Sequence, residues 1–396
     1  MEAAPVAPDE IPAFLETLYR AFHEDVPAED PWRAVIEPER TLAIRDGGRI
    51  VATTGVYSRR LTVPGGELPF GAVALVGVLP SHRRRGLLTA LMRRQLADVR
   101  DAGEPVAALW ASETAIYGRF GYGLAALVGK LDVATREARL RRPSELRARL
   151  CTPEEARPAV MAIHEAVRPS RVGMLDRRGG WWDARLTVPE QRRRGGSALR
   201  AAVVDGEAYA LYSAKPAFAD GRPAGEVMVR ELVAATPAGG AAIWGFLLEL
   251  DLIRRVMYEL APSDDPLQHM LTEVQAVQMR FGDGLWLRIV DLPAALERRS
   301  YALPFSVTLE VSDDFCPWNA GTWTLAWDGR AASCSRGGGE PGLALSAADL
   351  GAVYLGGTTL DQLARAGRVL ERQPGALAPA SAAFRGERAP WCPEVF

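Results

Sequence analysis

Cysteine and histidine are scarce in this chain of 396 residues. The four cysteines, Cys151, Cys316, Cys334 and Cys392, stand far apart, and no two share a CxxC spacing. Zinc-ligand spacing is therefore absent, and no metal is expected. None of His23, His82, His164 and His269 stands out as half of a His–Asp pair. An excess of one charge is also lacking: 47 basic residues face 49 acidic ones, a net charge of −2. Nothing general points to nucleic acid or an anionic membrane as partner. No apolar run approaches the roughly 18 residues that a membrane helix needs. The opening MEAAPVAPDEIPAF has neither a basic n-region nor an apolar h-region. The expectation is a cytoplasmic protein with reduced thiols.

What the chain does have is apolar material for more than one core. Hydrophobic residues make up 48% and charged residues 24%, and the length suits two to three domains. Ile11, Phe14, Leu15, Leu18 and Phe22 recur at helical spacing. Strands are expected at Thr41–Arg45 and Arg49–Tyr57, around Asp46-Gly47-Gly48, and again at Ala72–Val78. A helix follows from about Gly86, then a strand at Val106–Ala111 and a short helix at Thr114–Phe120. The middle of the chain repeats this order. A hairpin turns at Asp205-Gly206, the strand Val227–Ala234 leads into the loop Thr236–Gly240, and a helix is expected over Ala241–Leu250. This reads as a second copy of one α/β fold. The last segment opens with a strand at Leu285–Val290 and a helix from Leu292. Strands at Ser306–Val311 and Thr322–Trp327 precede two further helices, which reads as a separate α+β module. The expected domains are residues 1–145, 146–284 and 285–396.

The chemistry concentrates where the strand VALVGV meets LPSH, RRRG and the helix LLTALMRRQL. A helix start leaves about four N–H groups unpaired and carries partial positive charge. Arginines there are unfavourable unless an anion is present, so the loop reads as a pyrophosphate site. PEQRRRGG, residues 189–196, looks alike but precedes a hairpin. In the repeat the corresponding loop is ATPAGGA, with no basic residue. The middle copy is therefore expected to be degenerate.

The run VLPSHRRRGLLTALM, the stretch ALWASETAIYGRFGYG, and the later DPLQHMLTEVQAVQMRFGDGLWLRIVDLPAALERRSYA and YLGG resemble the Eis-type (enhanced intracellular survival) GNAT N-acetyltransferases of actinobacteria. The loop departs from the general R/Q-x-x-G-x-G/A pattern only in having Leu88 at its final small position. The resemblance implies tandem GNAT folds, the first active and the second degenerate, followed by a sterol-carrier-protein-like module. It implies acetyl-CoA as co-substrate, with Val76 and Val78 offering backbone groups to the pantetheine. Arg83, Arg84, Gly86 and Leu87 would cradle the pyrophosphate, and Ser112 would lie against the co-substrate. Tyr117 would be the general acid, and the terminal carboxylate of Phe396 would sit in the active site as proton acceptor for the attacking amine, directly or through water. Glu24, Asp25, Trp32 and Glu394 would line a pocket for a cationic amine. Aminoglycoside-acetylating relatives carry glutamate directly before the terminal Phe. Here that position is Val395, with Glu394 one residue earlier. The implied assembly is a homo-oligomer, a hexamer by resemblance.

Aminoglycosides, polyamines and lysine side chains are the candidate acceptors. A competing reading makes the chain a non-enzymatic lipid or small-molecule binder working through its C-terminal module. A different acyl donor or an O-linked acceptor is the third reading.

Overall fold

The computed structural model describes residues 2–193 and 195–396. Its first sheet runs Ala3–Pro5, Thr41–Asp46, Arg49–Val63, Gly66–Val78, Val106–Trp110, Leu285–Ile289 and Gly123–Leu124 in spatial order. The helix Ile11–Ala21 buries Phe14, Leu15 and Leu18 against Ala43 and Ile50 on one face. The helix Leu87–Asp101 packs Leu87 and Leu91 against Leu42, Ile44 and Val51 on the other. This is the alternation that a strand imposes on successive side chains. The central hairpin is longer than its hydrophobic pattern suggests. Arg49–Val63 and Gly66–Val78 stay paired from Ala52↔Val78 to Val63↔Gly66. The consecutive Arg59 and Arg60 hide the strand in the sequence, because Arg59 is buried rather than solvated.

The second sheet repeats the plan, in the order Val277–Asp283, Leu127–Ala134, Ile253–Pro262, Gly225–Ala234, Ala208–Lys215, Arg200–Val204 and Arg149–Cys151. In each sheet a hairpin leads to a strand that pairs in parallel with the strand after the next helix. The helix Pro153–Val167 carries a capping box made by Thr152 and Glu155, with Pro153 in its first turn. The repeat's helix starts at Pro237, inside the stretch read as a loop.

The strand Leu285–Ile289 corrects the sequence reading. It does not open the third module. It inserts into the first sheet, antiparallel to Val106–Trp110 from Leu285↔Trp110 to Ile289↔Val106. Conversely, Leu127–Ala134 leaves the first unit and lies between Val277–Asp283 and Ile253–Pro262 in the second sheet. The two units thus trade strands.

The third module has five strands, ordered Ala332–Arg336, Gly321–Trp327, Phe305–Ser312, Leu343–Ser346 and Leu370–Glu371. One hydrophobic cluster runs from Phe70 and Ala108 of the first sheet, through Leu285 and Leu287, to Leu309, Leu350 and Val353. Among the described residues, no helix is long and apolar enough to cross a membrane.

The contact between the helix Ala347–Val353 and the first sheet is so close that two glycines are required. A Cβ on Gly351 would stand 2.3 Å from the Leu287 oxygen, and one on Gly123 would stand 1.9 Å from the Ala348 oxygen. Backbone blocks both, so no rotamer can relieve the overlap. Gly351→Ala should destabilise the protein by about 1–3 kcal/mol or more through overpacking, read as a lower urea midpoint. Gly66→Ala, where an added Cβ meets nothing within 4 Å, is the matching control and should leave the midpoint in place.

Candidate functional site

The site begins with two parallel strands that part. Gly66–Val78 and Val106–Trp110 pair only at Phe70↔Val106, Gly71↔Ala107 and Ala72↔Ala108. Beyond Ala72 a bulge bends the first strand away. Gly55 pairs with Ala74 and Thr53 with Gly77, so the Gly66–Val78 strand carries one extra residue. Leu75 supplies the bend with φ 57°. Gly55, lacking a Cβ, leaves room for the Leu75 side chain, whose Cδ1 would otherwise lie 2.9 Å from it. The Leu79 N–H donates to the Val51 carbonyl at 3.0 Å. Alternation then turns the backbone groups of Val78 and Val76 to the opposite, open edge. Their side chains pack as well, half-buried against two different apolar clusters.

The arginine loop closes one end of this opening. Arg84 and Gly86 both take left-handed backbone, with φ of 63° and 78°. For Arg84 that strain costs about 1–3 kcal/mol. The helix Leu87–Asp101 starts at Gly86 with no side-chain cap, and a Cβ on Gly86 would meet nothing within 4 Å. Uncapped N–H groups facing open space fit a pyrophosphate. The three arginines do different things. Arg84 is exposed and makes no ion pair among the described residues. Arg85 leans toward Asp46 at 3.9 Å. Arg83 departs from expectation, because its guanidinium donates to the carbonyls of Ala21 at 2.9 Å and Val78 at 3.3 Å. It ties the loop to the C-terminal end of the first helix, where a cation is favoured.

Tyr117 ends the short helix Thr114–Tyr117 and is buried with Val56, Val73 and Leu109. Burial, then the charge of Glu113, pushes its hydroxyl up to about 12, against a hydrogen bond with Ser112 that lowers it. Ser112 and Tyr117 thus stand side by side at the end of the strand Val106–Trp110. Phe396 lies on the other face of the sheet, its ring 6.2 Å from that of Phe70. Trp32 joins it there, with its ring 5.8 Å from Trp181, which in turn meets Tyr57 at 4.9 Å.

The acidic residues are distributed differently from the expectation. Glu24 and Asp25 stand exposed on the turn after the first helix. Glu394 is 1% exposed, and both its oxygens are taken, by Arg59 at 3.0 Å and Arg177 at 3.2 Å. It faces no pocket. Burial works against its ionisation, but Arg177, Arg59 and Arg185 outweigh that and hold its carboxyl below the ordinary value. The residue that sequence reasoning missed is Asp30. It caps the turn Pro31–Val35 by accepting the Trp32 N–H at 3.2 Å and takes the Tyr19 hydroxyl at 2.7 Å. Its signal was Asp-Pro-Trp, a cap residue before proline.

The middle copy has closed the same features. Its parallel strands pair from Gly225↔Ile253 to Val229↔Tyr258 and then part. Tyr258 plugs the gap, with its hydroxyl accepting the Leu232 N–H at 3.1 Å. Thr236 caps the helix Pro237–Leu248 and hydrogen-bonds Glu207, so a carboxylate stands where an anion would have to bind. In the second arginine run, Arg194 lies outside the described residues. Arg192 reaches the Tyr19 hydroxyl at 3.0 Å, and Arg193 donates to the Val188 carbonyl at 3.2 Å. A cavity of about 680 Å³ lies elsewhere in this domain, lined in part by Arg139, Leu140 and Phe246.

Comparison with known proteins agrees with this layout. Residues 2–125 and 173–289 each match an acetyltransferase (GNAT) domain family, and residues 292–393 match a sterol carrier protein domain. An uncharacterized N-acetyltransferase of Streptomyces avermitilis is 42% identical over 392 residues, covering 96% of each chain. The N-acetyltransferase Eis of Mycobacterium tuberculosis is 36% identical over 372 residues, covering 90% of this chain and 89% of its own. The crystal structure of Eis1 from Mycobacterium abscessus superposes with a TM-score of 0.87 at 32% identity, covering 100% of both chains.

The geometry separates the two arginine runs. One phosphate-contacting arginine contributes about 1–3 kcal/mol, so Arg84→Ala should weaken acetyl-CoA binding roughly tenfold. Gly86→Asp adds a Cβ at positive φ and a negative charge, and should weaken binding at least as much. Arg193→Ala should leave binding unchanged in titration calorimetry. The reverse pattern would move the site to the middle domain.

Proposed function

Because the chain belongs to the Eis-type GNAT N-acetyltransferases, we propose that it moves the acetyl group of acetyl-CoA directly onto a primary amine of a cationic acceptor, within one ternary complex. The observation that carries this reading is the opening between Gly66–Val78 and Val106–Trp110, with Tyr117 on one face of the sheet and Phe396 on the other. Acetyl-CoA supplies an activated thioester. The loop from Arg83 to Leu87 would hold its pyrophosphate through Arg84 and backbone N–H groups, and Val76 together with the Val78 N–H would pair with its amides, the Val78 carbonyl already accepting from Arg83.

Donor and acceptor then meet from opposite sides, which suits direct transfer. With its pKa pushed up to about 12, the Tyr117 hydroxyl keeps its proton at neutral pH and can donate it to a leaving sulfur on that face. Phe396 would receive the proton of the attacking amine on the other face, directly or through water. A free α-carboxylate has a reference pKa of about 3.3–3.7, low for a base at neutral pH, so the carboxylate would serve equally by holding an ammonium that loses its proton to water. Trp32, held by Trp181, gives an aromatic wall for a cation. Asp25 and Glu24 would attract it at the surface, and Asp30 stands deeper.

The lipid-binder alternative loses ground to one residue. Arg299 is buried inside the third module, donating to the carbonyls of Tyr354 and Phe384. Its guanidinium lies 4.6–5.6 Å from the rings of Tyr301, Phe384 and Tyr354. A charged group bonded to backbone occupies that interior. A homo-hexamer remains part of the proposal, to be checked by light scattering.

A thiol-release assay against aminoglycosides, polyamines and lysine peptides tests the reading. Activity with at least one amine class is expected, and silence with all of them would send the search to other donors or O-linked acceptors. Tyr117→Phe keeps the ring and removes the proton. It should bind acetyl-CoA normally and turn over about 10²–10⁴-fold more slowly. A peptide extension beyond Phe396 should lower kcat while sparing acetyl-CoA affinity, and an N-terminal extension should be tolerated.

A further inference from the structure

Six charged side chains meet where the three modules touch. Arg59 comes from the first sheet, Asp176, Arg177, Arg185 and Glu231 from the middle domain, and Glu394 from the tail. Their side chains are between 0% and 9% exposed, and three positive charges balance three negative ones. Arg177 bridges Glu394 at 3.2 Å and Glu231 at 2.5 Å, and Arg185 reaches Glu231 at 2.8 Å and the Pro393 carbonyl at 2.9 Å. The Arg59 guanidinium also lies 3.9 Å above the ring of Trp181.

Beyond Glu394 neither side chain is fully buried. Val395 is 49% exposed, and Phe396 rests on Phe70. Phe70 is the cross-strand partner of Arg59, so the clamp and the rest are neighbours on one face of the hairpin. Phe70 also lies two residues before Ala72, the last pair before the strands part.

We propose that Glu394 is a positioning residue. Clamped by Arg59 and Arg177, it sets how far the last two residues reach and so where Phe396 stands at the opening. The inference rests on the reading that Phe396 acts on the acceptor side. It differs from simple interdomain adhesion in one respect: the span from Glu394 to Phe396 matters, as well as the clamp itself.

One glycine inserted between Glu394 and Val395 in the full-length protein changes that span and nothing else. It leaves all six charges in place and lengthens the tail by about 3.3 Å. With the best amine from the acceptor panel, kcat should fall tenfold or more. The KM for acetyl-CoA and the thermal midpoint should match the unmodified protein. Glu394→Gln should lower kcat in the same way, with some loss of midpoint. Arg59→Lys, which keeps the charge, should lower kcat less. Wild-type kcat in the insertion variant overturns the proposal. If deletion of Phe396 lowers kcat while the insertion is silent, the clamp is wrong and the role of Phe396 stands. If both are silent, the role of Phe396 falls, and the clamp with it.

Discussion

The arrangement of the three modules depends on a buried set of charges. Arg59, Arg177 and Arg185 face Asp176, Glu231 and Glu394 with almost no exposure to solvent. Such a set is a poor source of stability, because desolvation offsets most of the Coulomb attraction. Its effect is to penalise displacement. Displacing any one domain leaves an unpaired charge in a low dielectric, a loss of about 3–5 kcal/mol. A purely apolar seam would tolerate small slips that this one does not. Tyr209 extends the constraint by donating its hydroxyl to Glu231 at 2.5 Å.

The two copies of the GNAT fold show how little separates a working opening from a closed one. Both have a strand pair that parts, and both have a helix starting near the gap. The first copy leaves that helix uncapped at Gly86, whereas the second caps it with Thr236 and places Glu207 alongside. The first leaves its gap lined by Val76 and Val78, whereas the second fills it with Tyr258. Once sealed, the second copy serves as a platform, supplying Trp181 to the sheet face that carries Phe396 and four members of the charge network.

Much of this was legible in the sequence because it is local. The arginine loop, the helix after it and Tyr117 near Ser112 are separated by few residues, and period and turn residues mark them. What was not legible is long-range. The strand Leu285–Ile289 looks like any apolar strand, and nothing nearby says that its partner is Val106–Trp110. Glu394 reads as a solvated or pocket-facing acid, because its cationic partners lie 335 and 217 residues away. Arg83 was assigned to an anion through the family resemblance of its loop. The carbonyls that occupy it belong partly to a helix 62 residues earlier. Asp30 had a capping signal in Asp-Pro-Trp, but its other partner, Tyr19, lies on the preceding helix, 11 residues away.

The traded strands bear on how the chain is made. After Val106–Trp110 emerges from the ribosome, its outer edge waits for Leu285–Ile289, about 180 residues later. At 5–20 residues per second that is roughly 10–35 s of synthesis. Throughout that interval the nascent first unit presents an unpaired, apolar strand edge, which is a template for wrong pairing. Leu127–Ala134 waits similarly for Ile253–Pro262. Neither half can finish alone, so the smallest heritable folding unit is both copies together. Separating them by recombination at the linker would yield two incomplete sheets.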